Sequence, residues 1–580
     1  MTPSGARDDV PPGSPVGTPD RAPDGPVPWP DLPFPAGPAD TVRERVRRHA
    51  RERPEAVAVT VLRGGLTTER LNYRQLDALA GRAGAALRAA GARTGDRVVL
   101  VLPNDESFPA ALVAAVGVGL VSVPAPAPEA DRADAVRERL LSIIADCCPA
   151  LVVTLTRWAE ELRALLGPSG PRCLAWEELA GGASDDPAGS PVPDARTEFA
   201  FLQYTSGSTG RPKGVSVTHE AVLASCAQAA RVYGEHPEDV AVTWVPLHHD
   251  MGLVTGVLRP LFGGYGSVLL TPREFVRSPG SWLAAVTAHR GTLSSAPDFG
   301  YELCLRRIPE EELRGFDLSS WRVARNAGEV VRAATAERFA ARFAPTGLRP
   351  GTLCPSYGMA EATLTVTSCT PEVPPVTLLL DQELYTRGTV APARPGAAAV
   401  RLLSSGVPVP GAQVRVRSAD PGRVGEVFVR GPQLFTGYWP RRRAPGWHRT
   451  GDLGFLYRGH LFVVGRADDV LVHQGRNFHP ADLQAVCAEV PGLRAGRCAA
   501  FVVPHTTADR ICLVAEVGGT AGPGLNTAVE VRRRLARSLG LYVSEVVLLP
   551  AGGLPVTTSG KVRTAETARR YRLGLLPVAR

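Results

Sequence analysis

FLQYTSGSTGRPKGV, residues 201–215, joins an apolar, strand-like lead-in (Phe199–Gln203) to a loop of hydroxyls and glycines that closes on Lys213 and Gly214. Glycine tolerates positive φ, so Gly207 and Gly210 let successive backbone N–H groups turn toward one anion. Thr205, Ser206, Ser208 and Thr209 add hydroxyl donors, and Lys213 supplies a compact charge suited to phosphate. The loop is not a Walker A motif, whose Gly-Lys pair is followed by Ser or Thr. The bland alternative is a flexible Ser/Gly linker, but linkers are rarely framed by an apolar strand and a PKG sequence.

Of the 65 Lys+Arg in the chain only two are lysine, Lys213 and Lys561, and both sit in glycine-flanked motifs, PKG and SGK. Where arginine serves almost everywhere else, a surviving lysine marks chemistry that needs a flexible ammonium instead of a planar fork. With 580 residues and 44% hydrophobic content the chain has room for more than one domain and for large cores. A net charge of +8 spread over that length, with no aromatic-interleaved basic patch, does not point to nucleic acid. The ten cysteines form no CxxC pair, which argues against a zinc site or disulfide framework and for reduced thiols in the cytoplasm. No secretory signal opens the chain. The uncharged run Phe108–Pro128 has the length of a membrane span but is broken by glycine and proline, so it reads as a buried helix followed by a strand, with no stable membrane insertion.

Residues 1–38 are rich in Pro, Gly, Asp and Ala and read as a disordered leader. From Thr41 helices and strands alternate: an amphipathic helix over Tyr73–Ala90 with Leu76, Leu79, Ala83 and Leu87 inward, strands at Arg97–Leu102, Leu120–Val123 and Leu151–Thr154, and a helix around Ile143–Cys148. That rhythm predicts an α/β fold of mostly parallel, helix-covered sheets over residues 39–467. Within it, residues 402–465 shorten to punctuated strands (Gln413–Val416, Glu426–Val429, Phe455–Tyr457, Leu461–Val464), a small β-rich subdomain or distorted barrel. A small α+β C-terminal domain follows a hinge near Asp468, over residues 468–580, with strands at Ala499–Val503, Ile511–Val517 and Ser544–Leu549 and a helix at Val529–Leu539.

Further motifs follow the loop. SYGMAEATL spans Ser356–Leu364, RTGDLG spans Arg449–Gly454, GRADD contains Arg466 and Asp468, HQGRNFHP contains Arg476 and Asn477, and TTSGK ends on Lys561. WVPLHHDMGL occupies Trp244–Leu253. Together these resemble the adenylate-forming superfamily over residues 41–565, and the HHDMGL and MAEATL wording resembles its fatty acyl-AMP ligase branch. The 45 positions between Glu361 and Gly406 also leave room for the insertion of that branch, about residues 370–400, centred on Val376–Val390.

The resemblance implies ATP and Mg²⁺ as cofactors. It assigns Thr205, Ser206, Gly207, Ser208, Thr209, Gly210 and Lys213 to the triphosphate, and Ser356, Tyr357, Gly358 and Met359 to the adenylate, with Tyr357 stacking on adenine. Asn326 and Ala327 would touch adenine, Asp452 the ribose hydroxyls, and Arg466 ribose and phosphate. Glu361 and Thr205 would hold the metal. Catalysis would fall to Lys561, His249 and Glu361, with Asp468 as the hinge. The family's usual NGAEPV stands here as Asn326–Val331, NAGEVV, with Ala and Gly exchanged and Pro lost. The expected reaction is ATP-dependent formation of a fatty acyl-adenylate with release of pyrophosphate. Transfer to the phosphopantetheine thiol of an acyl carrier protein in trans would follow. An acyl-CoA ligase, an amino-acid adenylating protein and a catalytically silent nucleotide-binding homologue are the alternatives.

Overall fold

The strand Phe199–Thr205 runs antiparallel to Lys213–Thr218, with Thr205 opposite Lys213, so the two ends of the hydroxyl-rich loop meet at the edge of a hairpin. Ala200, Phe201 and Leu202 are buried, which is what the apolar lead-in requires. The computed structural model describes residues 40–128, 133–181, 197–205, 212–418, 420–473, 476–503, 510–518, 526–557 and 561–577. The expected leader, residues 1–38, and the loop residues Ser206, Gly207, Ser208, Thr209 and Gly210 lie outside them.

Among the described residues this hairpin belongs to a seven-stranded sheet ordered Gly437–Tyr438, Lys213–Thr218, Phe199–Thr205, Val121–Pro124, Arg97–Val101, Leu151–Thr154, Arg172–Ala175. The last five strands are mutually parallel. A nine-stranded sheet lies alongside, its centre built from parallel Val323–Asn326, Leu293–Ala296, Val240–Thr243, Gly266–Leu269 and Val57–Arg63. Helices cover both. Tyr73–Ala89 starts on a capping box between Asn72 and Gln75 and buries Leu76, Ala83 and Leu87. The membrane-length run resolves into the buried helix Ser107–Gly117 and the strand Val121–Pro124, and among the described residues no helix is long and apolar enough to cross a membrane.

The punctuated region is a four-stranded antiparallel sheet, Gln413–Arg417, Gly425–Arg430, His448–Tyr457 and His460–Arg466, open at its edges instead of closed into a barrel. Phe455–Tyr457, expected as a separate strand, is the end of the ten-residue His448–Tyr457, and Asp452 therefore lies within a strand. The helix expected around Ile143–Cys148 is longer, Ala133–Cys147.

The insertion is a hairpin, Thr377–Asp381 with Ala399–Leu403, enclosing the short helix Gln382–Thr386. Its apolar run alternates as a strand at a sheet surface must: Leu380 is 2% exposed, Leu379 51%. Leu380 and Tyr385 pack on Phe455, Phe462 and Val464 of the small sheet.

Beyond the single turn Ala467–Asp469 comes the smaller C-terminal domain. Leu493–Val503, Arg510–Val517 and Glu545–Leu549 form its sheet, and Leu513, Val531, Leu535 and Leu541 belong to a core of its own.

Candidate active site

Glu361 sits in the tight turn Ala360–Ala362 between the antiparallel strands Leu353–Met359 and Leu364–Ser368. Gly358 just before it has no alternative, because a Cβ there would lie 1.5 Å from the Leu364 carbonyl oxygen. After the turn Thr363 (φ 48°) and Leu364 (φ 125°) occupy the left-handed side of backbone space, a strained conformation held by the hydrogen bond from Thr363 Oγ1 to the Gln433 carbonyl at 2.7 Å. The Glu361 carboxylate accepts a 2.7 Å hydrogen bond from the Tyr438 hydroxyl, and burial raises its pKa. Tyr438 comes from the short strand that pairs with the Phe199–Thr218 hairpin, opposite Val215, and Lys213 Nζ lies 5.4 Å from the centre of its ring. Glu361, Tyr438 and Lys213 thus form one continuous array.

A second array lies beside it. The Tyr357 hydroxyl donates to Asp452 Oδ2 at 2.6 Å, and Arg466 Nε stands 3.4 Å from Asp452 Oδ1. Arg466 Nη2 also donates to the Thr450 carbonyl at 3.2 Å. Burial raises the Asp452 pKa, and the Arg466 and Lys561 charges partly offset it.

His249 caps the helix Asp250–Leu253, with Nδ1 2.6 Å from Asp250 Oδ1. Asp250 also accepts the Met251 backbone N–H at 2.7 Å. Burial alone would raise Asp250, but His249, the Met251 N–H and Lys561 outweigh it and hold the carboxylate down at about 2. Asp250 is therefore already engaged, not free to hold a substrate ammonium. Burial and the neighbouring His249 push His248 down to about 3, so it is neutral, and its carbonyl accepts from Gln203 Nε2 at 2.9 Å.

Lys561 is exposed on the C-terminal domain, yet its charge is felt by Asp250, Glu329, Asp452 and Asp469. Residues far apart in sequence thus feel one ammonium. Lys561 and Thr557 close a loop on each other: the Thr557 N–H donates to the Lys561 carbonyl at 2.8 Å and the Lys561 N–H to Thr557 Oγ1 at 3.0 Å.

The family profile described as AMP-binding enzyme matches residues 46–439. A long-chain-fatty-acid–AMP ligase of Mycobacterium marinum is 34% identical, covering 91% of this chain and 96% of its own. The chain belongs to the AMP-binding enzyme family. A medium-chain-fatty-acid–[acyl-carrier-protein] ligase of Moorena producens is 33% identical over 87% of this chain and 90% of its own. The solved structure from studies of fatty acyl-adenylate ligases of E. coli and L. pneumophila superposes with a TM-score of 0.85 at 29% identity, covering 94% of this chain and 99% of that one.

Within this AMP-binding enzyme the residues singled out from sequence fall into two groups. Lys213, Glu361, Tyr357, Asp452, Arg466, His249 and Lys561 belong to the arrays just described. Ser356 and Asn326 are used differently. The Ser356 hydroxyl is buried, donating to the Cys354 carbonyl at 3.0 Å and lying 2.9 Å from Ser368 Oγ. Asn326 Nδ2 donates to Asp298 Oδ1 at 3.0 Å, and Asp298 also takes Arg332 Nε at 2.9 Å and Thr335 Oγ1 at 3.2 Å. Ala327 is buried, and Gly328 takes φ +87°, so the exchanged glycine stands where the backbone needs one. Met359 is half-buried against the small sheet, and Asp468 is exposed in the turn that joins the domains.

Sequence reasoning missed Tyr438, Asp298 and Gln203. Tyr438 follows Gly437 in a stretch with no motif wording, and only pairing with a strand more than 200 positions away brings it to Glu361.

Proposed function

We propose that this enzyme activates a fatty acid as its acyl-adenylate and then passes the acyl group to the phosphopantetheine thiol of an acyl carrier protein. The observation that carries the reading is the convergence of Lys561 on Asp250, Glu329, Asp452 and Asp469 while Lys213 approaches through Tyr438 and Glu361. Two ammonium groups then flank a bound triphosphate.

In the first step a carboxylate oxygen of the acid attacks the α-phosphorus of ATP. The new P–O bond forms as the bond to the β-phosphate oxygen breaks, and pyrophosphate leaves with that electron pair. Lys561 stabilises charge gathering on the α-phosphate and carboxylate oxygens, and Lys213 with the loop N–H groups stabilises the departing pyrophosphate. Asp452 accepts from the ribose hydroxyls and is itself oriented by Tyr357 and Arg466. His249, fixed by Asp250, orients the incoming carboxylate. No Ser-His-Asp triad is needed, since positioning and electrostatics suffice for phosphoryl chemistry.

Mg²⁺ fits the donor set. Among the described residues no cluster of three His, Cys, Asp or Glu could cage a metal, but Mg²⁺ ordinarily takes one or two carboxylates and borrows its other oxygens from phosphates. Glu361, with the Thr205 hydroxyl, would hold it, and when bound it neutralises phosphate charge.

The second step is thiol attack on the mixed anhydride, with AMP leaving. We place the pivot that exposes the thiol path at Asp468. The relatives named for AMP ligation and for carrier-protein ligation support this order of events, as does the insertion. Arg476 Nε donates to Thr386 Oγ1 at 3.2 Å, while its other nitrogens donate to the Leu539 and Gly540 carbonyls at 2.8 and 3.2 Å. Gln382 of the insertion also donates to the Ser538 carbonyl. These contacts restrain the small domain and disfavour CoA as acceptor. All ten cysteines are free and nine are buried, which supports a cytoplasmic setting.

The test is intact mass of a holo-carrier protein incubated with enzyme, ATP and a pool of fatty acids, against CoA in the same concentration. Acylated carrier in excess is the expected result, and preferential acyl-CoA would reject the acceptor assignment.

A further inference from the structure

Arg139 stands on the helix Ala133–Cys147 and donates through Nη2 to the Tyr204 carbonyl at 3.1 Å. Tyr204 directly precedes Thr205, whose register partner is Lys213, so this guanidinium sits at the base of the Phe199–Thr218 hairpin. The backbone contact uses a single donor. Nε is buried and has no hydrogen-bond partner among the described residues. No carboxylate offsets the charge: burial and the Arg563 guanidinium both lower the Arg139 pKa. His248, which feels Arg139, is itself neutral. Arginine keeps its proton in proteins, and a buried cation without a counter-ion is costly.

Arg563 belongs to the other domain, two residues beyond Lys561, and opens the helix Thr564–Arg572. Its backbone is fixed, the N–H donating to the Pro555 carbonyl and the carbonyl accepting the Thr567 N–H, both at 2.9 Å. Its half-buried guanidinium forms no hydrogen bond or ion pair among the described residues. Two cations that act on each other across a domain boundary, neither with an acid of its own, repel. An anion shared between them removes that penalty, and the planar guanidinium fork suits phosphate oxygens above all.

The place of the pair selects the anion. Lys561 acts on Asp250, Glu329 and Asp452, so the small domain stands as the first step requires, and the anion of that step is the triphosphate. Arg139 lies one residue from the Thr205–Lys213 pair, on the side of the departing pyrophosphate.

We infer that Arg139 and Arg563 clasp the terminal phosphates of ATP, and then pyrophosphate, between the two domains. This rests on the acid-activating reading above and adds two binding residues to it. The clasp also links the two steps. While the anion is held, the small domain is kept over the site; when pyrophosphate leaves, the two guanidinium groups repel and favour the pivot at Asp468.

The test is calorimetric titration of the full chain with inorganic pyrophosphate, AMP and phosphopantetheine in turn, at one fixed Mg²⁺ concentration. Native protein is compared with Arg139→Gln, Arg139→Lys and Arg563→Gln. Each Gln variant is expected to weaken pyrophosphate binding by about tenfold or more, the scale of a hydrogen bond to a charged group, and to leave AMP binding unchanged. Arg139→Lys, which keeps the charge without the fork, falls between, and it stands in for Arg139→Gln should that variant not fold. Loss in only one of the two positions overturns the clasp, since an arginine that merely props the Tyr204 carbonyl has no counterpart at Arg563. Equal loss of AMP and pyrophosphate, or loss confined to phosphopantetheine, overturns it too. A native chain that binds neither AMP nor pyrophosphate overturns instead the site reading on which it rests.

Discussion

Lys561 is solvent-exposed, so on the proposed reading removing its ammonium would separate catalysis from folding. Lys561→Ala is expected to lose adenylation by about 100- to 1,000-fold, the scale of deleting one preorganised charge stabiliser, with the melting temperature unchanged. Pyrophosphate release and a thermal melt on the same sample check both halves. Tyr438→Phe removes the only hydroxyl seen on Glu361 among the described residues. It should raise the Mg²⁺ concentration for half-maximal activity by about tenfold, the value of one hydrogen bond to a charged group. Asp250 supplies a pH prediction. Its folded pKa, about 2, lies below the ordinary 3.8, so its stabilising contribution is fully present above about 4 and is lost as pH falls toward 2. That contribution is about 2 kcal/mol, and acid unfolding of Asp250→Asn should show a shallower loss over that window.

Residues of this kind were legible to different degrees. Lys561 and Lys213 stood out because arginine replaces lysine everywhere else. Asp250's direction could not be read, since it depends on which neighbour claims the carboxylate.

Elements with strong local pattern were read nearly to their ends. Tyr73–Ala89 has both a capping box and an apolar face, and Leu151–Thr154 is a short, fully buried run between two helices. The small sheet was harder. Its strands were found, but whether they close depends on edge pairing, which no strand's own sequence records. The spacing leaves room for an insertion where the hairpin Thr377–Asp381 with Ala399–Leu403 lies, while its contacts to the small domain, Arg476 with Thr386 and Gln382 with Ser538, come from pairings that no local pattern records. Arg476→Ala should loosen the small domain at little cost to the first step. The expected outcome is unchanged pyrophosphate release and a several-fold rise in acyl-CoA formed relative to acyl-carrier, read by mass spectrometry. A fall in pyrophosphate release without any gain in acyl-CoA would mean that these contacts assemble the site instead of restraining it.

At the scale of the whole molecule the organisation is one large sheet-and-helix platform and one small domain with its own core, joined through the Ala467–Asp469 turn. The platform carries Glu361, Asp452 and His249, and the small domain carries Lys561, whose charge acts on Asp452; on the proposed reading the small domain would deliver that lysine across the turn. Separate cores would let the small domain pivot, as proposed, without unfolding either part.

The most direct test of the account is exchange of labelled pyrophosphate into ATP, run with and without a carboxylic acid, for the native chain and for Lys561→Ala. Exchange is expected to depend on added acid in the native chain and to be lost in the variant. Exchange that needs no acid, or that persists without the Lys561 ammonium, would contradict it.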